Sequence, residues 1–210
     1  MIGKASLVLA VGILAVAGLA ADGALAAKLT GADISKLPLK TQLPPGPPRY
    51  VFRIDDFAIT ETRSLHEDTD YVTEGLTGQP NQVKSMGDLN NGTFPVGLSL
   101  TAAVDANGKV TLSYIIVNTA KPLGSVTSFL RTAALDFGQN FGLNLTGILS
   151  GGCDGVVAQG RHTFNGTQLA SQTANGGVIK GNDYSPGTDS PTGCGSNSRY
   201  YVDWSVVAAK

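Results

Sequence analysis

Carboxylate side chains are concentrated in one short part of the sequence. Seven of the sixteen acidic residues lie between positions 55 and 74, and the densest run extends from His66 to Tyr71. Crowded carboxylates raise each other's pKa unless a cation, hydrogen bonds or solvent screens them. The sequence therefore predicts that something neutralises this segment.

Calcium is the cofactor that this acidic segment favours. In an extended segment alternate residues share a face, so Asp68 and Asp70 are expected to project together, about 7 Å apart. Neighbouring loops could add Asp55, Asp56 and Asp88 as further oxygen ligands, and calcium accepts six to eight such oxygens in irregular geometry. Without a metal, the same segment is an acidic edge that stays solvated and discourages aggregation between strands, and the sequence favours this interpretation over a metal site.

A short stretch within the segment is similar to a known calcium-binding loop. Asp68-Thr69-Asp70-Tyr71-Val72 resembles the calcium-binding loops of C2-type β-sandwiches, in which acidic residues precede a strand that opens with an aromatic residue. The likeness covers five residues, and the proline usual inside the family's loop is missing. A second loop with paired aspartates is also missing. The resemblance implies calcium on a β-sandwich and does not assign the chain to that family.

The two histidines indicate a different metal. His66-x-Asp68 with the distant His162 supplies the ligand types of a two-histidine, one-carboxylate iron site. The pattern resembles the H-x-D…H motif of iron- and oxoglutarate-dependent oxygenases. Those enzymes usually hold the co-substrate with an arginine after the second histidine, whereas Gln168–Thr173 contains none. A small metal-dependent enzyme, either of this oxygenase type or a hydrolase, is therefore the enzymatic alternative.

Evidence for other catalysis is sparse. The sequence has no G-x-S-x-G nucleophile elbow and no CxxC redox pair. Its single tryptophan, Trp204, lies in a strand-like segment where a core position is expected. We therefore predict no catalytic residues and favour a protein that is not an enzyme.

The N-terminus has the pattern of an export signal. Lys4 precedes the apolar run Ser6–Ala21, and Ala24-Leu25-Ala26 forms an A-x-A cleavage site. We predict a secreted, periplasmic or cell-surface protein without an integral membrane span after cleavage. The expected segments are a signal peptide at 1–26, a Pro-rich arm at 27–48 and a globular domain at 49–210.

The net charge limits the classes of partner, and the cysteine content indicates a disulfide. The formal net charge is −1 and the basic residues are scattered, so nucleic acid is not an expected partner. Cys153 and Cys194 are the only cysteines, and an exported chain is expected to join them in a disulfide.

Hydrophobic periodicity indicates a mainly β fold. Residues 50–60 alternate as a strand with a bulge near Asp55, and residues 70–76 and 199–207 have the same character. Asn-Gly at 107–108 and at 165–166 predicts two hairpins. Residues 125–149 carry apolar positions at helical spacing. We predict an antiparallel β-sandwich-like single domain with one amphipathic helix near 125–149.

The functional prediction follows from these features. The sequence favours an exported, non-enzymatic β-sandwich that binds a carbohydrate, a protein or a surface ligand, and calcium at the acidic segment is its candidate cofactor. A structural envelope protein, in which the Pro-rich arm positions the domain, is a further alternative.

Overall fold

The computed structural model describes residues 46–65, 68–132, 152–186, 193–194 and 198–210. Eight strands dominate these residues: β1 Arg49–Glu61, β2 Asp68–Leu76, β3 Gln82–Leu89, β4 Gly92–Ala103, β5 Lys109–Asn118, β6 Gly155–Asn165, β7 Val178–Ser185 and β8 Arg199–Ala208. They are joined by helix α1 (Leu123–Thr132), helix α2 (Gly166–Gln172) and a 3₁₀ helix (Ala174–Gly176). The predicted export signal, most of the Pro-rich arm, His66 and residues 133–149 of the predicted helix lie outside the described residues.

The strands form two antiparallel sheets packed face to face. Sheet A has the order β4-β1-β8-β7, and sheet B has the order β3-β2-β5-β6. Apolar side chains from both inner faces form the main core, with Phe52, Val202 and Leu112 among the fully buried residues. The prediction of a mainly β, antiparallel sandwich is confirmed.

Helix α1 covers the outer face of sheet B. Val126 and Leu130, two positions of the predicted helical stripe, are fully buried against Tyr71, Ile115 and Val117. Full burial of each aliphatic side chain stabilises the fold by about 1.5–3 kcal/mol. Strand β5 is therefore covered on both faces, which explains its run of consecutive apolar residues. Within the described part of the chain, no helix has both the length and the apolar character needed to cross a bilayer.

Strand β1 contains the expected bulge. Its pairing with both neighbours shifts register between Ile54 and Asp56. The shift lets Ile54 and Phe57 both point into the core, where each is fully buried. One extra residue in a strand has this effect because it reverses the alternation of faces beyond the bulge.

The two hairpins predicted at Asn-Gly do not form, so both predictions are wrong. Strands β4 and β5, which flank the first, belong to different sheets, so Asp105–Gly108 connects the two layers. Neither Asn107 nor Gly108 adopts the positive φ that a tight hairpin needs. At the second site Asn165 caps helix α2 instead, because its side-chain oxygen accepts a hydrogen bond from the backbone N–H of Gln168 at 2.7 Å.

Two glycines make room for large rings between the sheets. A Cβ atom at Gly160 would collide with the ring of Tyr114, and one at Gly181 would collide with the indole of Trp204. Each ring lies over a glycine of the neighbouring edge strand, since Tyr114 pairs with Gly160 and Trp204 with Gly181. Because Gly160 and Gly181 have no side chain, each buried ring can pack across its neighbouring edge strand.

The predicted disulfide is confirmed between Cys153 and Cys194. The backbone carbonyl of Cys153 also accepts a hydrogen bond from Nε of Arg63 at 2.9 Å. The crosslink therefore lies beside the end of strand β1, next to the start of β6.

Reduction of this disulfide is expected to lower the free energy of unfolding by about 2–4 kcal/mol, because the unfolded chain regains the entropy of a loop of roughly forty residues. Urea unfolding with and without a reductant measures the difference. A variant with serine at both cysteines should match the reduced protein and show no response to the reductant. Equal stability of the oxidised and reduced proteins would contradict the expectation.

Candidate functional site

Asp68 is buried, and hydrogen bonds satisfy both oxygens of its carboxylate. It has no exposed surface and lies at the start of β2. Its oxygens accept the backbone N–H groups of Arg63 and Ser64, both at 2.7 Å, and Nδ2 of Asn118 at 2.9 Å. The hydroxyl of Tyr200 lies 2.9 Å from Oδ2. These four contacts use both carboxylate oxygens, so Asp68 fixes the β1–β2 connection.

Asp70 shares the tyrosine with Asp68 and carries a proton. The hydroxyl of Tyr200 lies 2.8 Å from Oδ2 of Asp70 as well, but one hydroxyl proton cannot serve two carboxylates. Burial raises the pKa of Asp70 well above its usual range, and the charge of Asp68 raises it further against the lowering effect of Tyr200. The consistent arrangement is that protonated Asp70 donates to Tyr200, which donates to Asp68.

Glu74 is the third carboxyl on this inner face of β2. It is fully buried, and neither of its oxygens has a hydrogen-bond partner. Burial raises the pKa of Glu74 to about 8, and the charge of Asp55 acts in the same direction. A buried carboxyl without partners remains neutral because an ionised one would lose its solvation.

The five carboxylates of the expected calcium site do not converge. Asp68 and Asp70 do share a face, as predicted, but that face is directed into the sandwich. Asp88 lies on β3, where it accepts a hydrogen bond from the hydroxyl of Thr69 on the other face of β2. Asp55 and Asp56 lie in sheet A. No group of three or more His, Cys, Asp or Glu side chains in the described ranges could hold a metal ion.

The candidate iron ligands Asp68 and His162 lie at opposite ends of sheet B. His162 pairs with Leu112, which pairs with Leu76 at the far end of β2 from Asp68. The eight positions between Asp68 and Leu76 correspond to about 26 Å along the strand. One ion cannot contact both side chains.

His162 instead joins the edge strands of the two sheets. Its Nε2 lies 2.6 Å from Oδ2 of Asp183 on β7, and the same oxygen accepts the hydroxyl of Tyr114 at 2.7 Å. The His162 ring also packs on Trp204, with 4.2 Å between ring centroids. Burial raises the pKa of Tyr114, and the hydrogen bond and charge of Asp183 raise it further. These contacts connect β6 to β7 and explain His162 without a metal.

A groove on the outer face of sheet A brings polar side chains of three strands together. Its volume is about 490 Å³. The polar residues that line it are Arg53, Asp55, Asp56, Lys180, Asp203 and Ser205. Strand register explains the convergence: Arg53, Ser205 and Lys180 form one row across β1, β8 and β7, and Asp56 and Asp203 belong to the next.

Asp56 and Asp203 share a hydrogen bond across β1 and β8 within this groove. Partial burial raises the pKa of Asp56, and the charge of Asp203, the shared hydrogen bond and the charge of Asp55 add to the effect. Asp203 also accepts Nδ2 of Asn182 at 2.7 Å, so the second row ends in an exposed amide. The groove thus presents several oriented hydrogen-bonding groups.

The third row across sheet A is aromatic. Tyr184 and Tyr201 pair across β7 and β8, with 5.1 Å between ring centroids. They remain 52% and 37% exposed. Since alternate residues lie about 7 Å apart along a strand, the tyrosine pair adjoins the row of Asn182 and Asp203. We therefore treat the outer face of β1, β8 and β7 as the candidate functional site.

These features define an antiparallel β-sandwich with a polar groove on one outer face. No family model matches the sequence, and no curated protein matches it. Similar solved structures include the human group IVD cytosolic phospholipase A2, at TM-score 0.40 and 11% identity over 78% of this chain. A C2 domain of a plant extended synaptotagmin 1 matches at TM-score 0.40 and 6% identity, covering 79% of this chain and 98% of that domain. This chain spans only 17% of the phospholipase.

Proposed function

We propose that the protein is an exported, non-enzymatic binding protein that holds a neutral carbohydrate in the groove on sheet A. The observation that carries this proposal is the convergence of oriented carboxylate, amide and cationic side chains from three adjacent strands. Sugar hydroxyls both donate and accept hydrogen bonds, so they suit a groove that offers both kinds of partner. The N-terminal signal pattern supports export.

The charge balance of the groove favours a neutral ligand. Asp55, Asp56 and Asp203 line the groove together with Arg53 and Lys180, so acidic and basic side chains are present in nearly equal number. A strongly charged ligand would gain attraction from one set and repulsion from the other, whereas hydroxyl groups can use both.

The spacing of the paired carboxyls favours binding over cleavage. Glycoside hydrolysis needs two carboxyl groups about 5–9.5 Å apart, with the scissile bond between them. Asp56 and Asp203 are directly paired across β1 and β8 and their side chains interact, so their carboxyl groups face each other without a gap for a ligand. A sugar linkage cannot fit between them, so the pair is suited to contact hydroxyl groups from one side.

Affinity electrophoresis tests this function. The purified protein is expected to be retarded in native gels that contain at least one of a panel of neutral polysaccharides, such as β-glucan, xylan and mannan. Asp203→Ala is expected to weaken binding roughly tenfold or more, because hydrogen bonds to a charged group contribute about 1.5–3 kcal/mol.

The matched control is Asp88→Ala, which removes an exposed strand aspartate from the other sheet. It should leave the retardation unchanged. Migration unaffected by every polysaccharide would refute the proposed function, as would equal effects of the two substitutions.

A further inference from the structure

The exposed apolar side chains of the domain are concentrated around the groove. Within the described ranges, four large hydrophobic residues are exposed, and three of them lie on β7 and β8: Val178, Tyr184 and Tyr201. Val178 lines the groove at one end, and the tyrosines lie beyond Asn182 and Asp203 at the other. Such a distribution is unusual for a face with no ligand, because isolated exposed apolar residues are normally scattered.

From this arrangement we infer that the site accommodates a linear chain of several sugar units, with Tyr184 and Tyr201 forming a second subsite. This inference rests on the proposed carbohydrate function and adds the size of the ligand and its direction. The chain runs along β7 and β8, from the groove to the tyrosine pair.

The dimensions of the face support a chain over a single sugar. The six positions from Val178 to Tyr184 correspond to about 20 Å along the strand. A monosaccharide occupies only part of that length, so it would contact either the polar groove or the tyrosines. A chain of linked sugars reaches both at once, and linkage makes the second contact intramolecular.

The chemistry of the tyrosines suits the apolar faces of sugar rings. A pyranose ring presents aliphatic C–H groups on its faces and hydroxyl groups around its rim. Aromatic side chains offer a large apolar face at low conformational cost, and the tyrosine hydroxyl keeps a polar contact with solvent or ligand. The two rings pack together at an interplanar angle of 36°, which limits their motion before a ligand arrives.

Calorimetry with oligosaccharides of increasing length tests the inference, using fragments of a neutral polysaccharide that retards the protein. Affinity is expected to rise with length until the chain spans both subsites. Tyr201→Ala and Tyr184→Ala should each weaken binding of the long fragments by roughly tenfold. Neither should alter binding of the shortest fragment that the groove holds.

Tyr201→Phe is the matched control, because it keeps the ring and removes only the hydroxyl. It should retain most of the affinity for long fragments, and melting temperatures should verify that all three variants fold. Affinity independent of length, or insensitive to both alanine substitutions while Asp203→Ala still weakens binding, would overturn the second subsite alone. If no neutral oligosaccharide or polysaccharide binds, the proposed function fails together with this inference.

Discussion

Replacing Asp68 with alanine is expected to lower the free energy of unfolding by at least about 4 kcal/mol, since each buried donor left without a partner costs about 1–3 kcal/mol. The substitution removes the acceptor for the backbone N–H groups of Arg63 and Ser64 and for the side-chain amide of Asn118. The methyl group that replaces the carboxylate cannot satisfy any of them, and Tyr200 also loses an acceptor. Equilibrium unfolding in urea, with the disulfide intact, measures the loss.

Two comparisons isolate the role of Asp68. Asp88→Ala removes an exposed aspartate from the neighbouring strand and should change stability by less than about 0.5 kcal/mol. Tyr200→Phe removes only the bridging hydroxyl, so a smaller loss of roughly 1–2 kcal/mol is expected. A loss below about 1 kcal/mol for Asp68→Ala would mean that the carboxylate does not organise the β1–β2 connection.

The sequence correctly grouped Asp68 and Asp70 on one face but could not show where that face points. In most strands the apolar face identifies the core, because the other face meets water. Strand β2 is covered on both sides: Tyr71 packs under helix α1, and Val72 packs between the sheets. Alternation therefore gives no direction here. Asp68 and Asp70, the pair at the centre of the predicted metal site, belong to the inner face, where hydrogen bonds satisfy Asp68 and a proton neutralises Asp70.

Local signals predicted elements better than they predicted pairings. Apolar residues alternate along β1 and β8, and an apolar stripe on helix α1 passes through Val126 and Leu130. Each of these segments must bury its apolar face whichever element it packs against, so its own sequence is enough to predict it. The Asn-Gly signal at 107–108 depends on a partner strand, and that partner changed because β4 pairs with β1 instead of β5. A dipeptide cannot encode a choice between strands so distant in sequence.

The groove was beyond sequence reasoning for the same reason. Asp56 and Asp203 are 147 positions apart (203 − 56), and only the β1–β8 register brings them together. The signal that the sequence does carry is the polar series Tyr201, Asp203 and Ser205 alternating with core residues along the last strand. That pattern identifies an outer face, but it does not reveal that β1 and β7 add charged groups to the same face.

Stability is expected to decrease as the pH rises from about 4.5 to about 8, because of Glu74. Its pKa is raised from the usual 4.5 to about 8 by burial first and by the charge of Asp55 second. Between these values the unfolded chain has lost a proton that the folded protein still binds, so the free energy of unfolding falls with pH. A pKa rise of this size corresponds to roughly 4–5 kcal/mol. Asp70, whose pKa is also raised, adds a contribution in the same direction.

Glu74→Gln isolates the contribution of Glu74 to the pH dependence of stability from that of the other titrating groups. The amide keeps the shape of the protonated side chain but cannot ionise in either state, so the variant should resemble the native protein at pH 4.5 and exceed its stability at pH 8. Urea unfolding across this range measures the effect. In the control Glu61→Gln, which changes a carboxyl at the partly exposed ion pair with Arg199 and leaves Glu74 in place, the decline between pH 4.5 and 8 should persist. If the native and Glu74→Gln profiles run parallel, Glu74 does not retain its proton in the folded state. If instead the two stability curves differ at pH 8 and meet as the pH falls to 4.5, Glu74 keeps its proton in the folded state. The buried carboxyl then makes the protein most stable at mildly acidic pH.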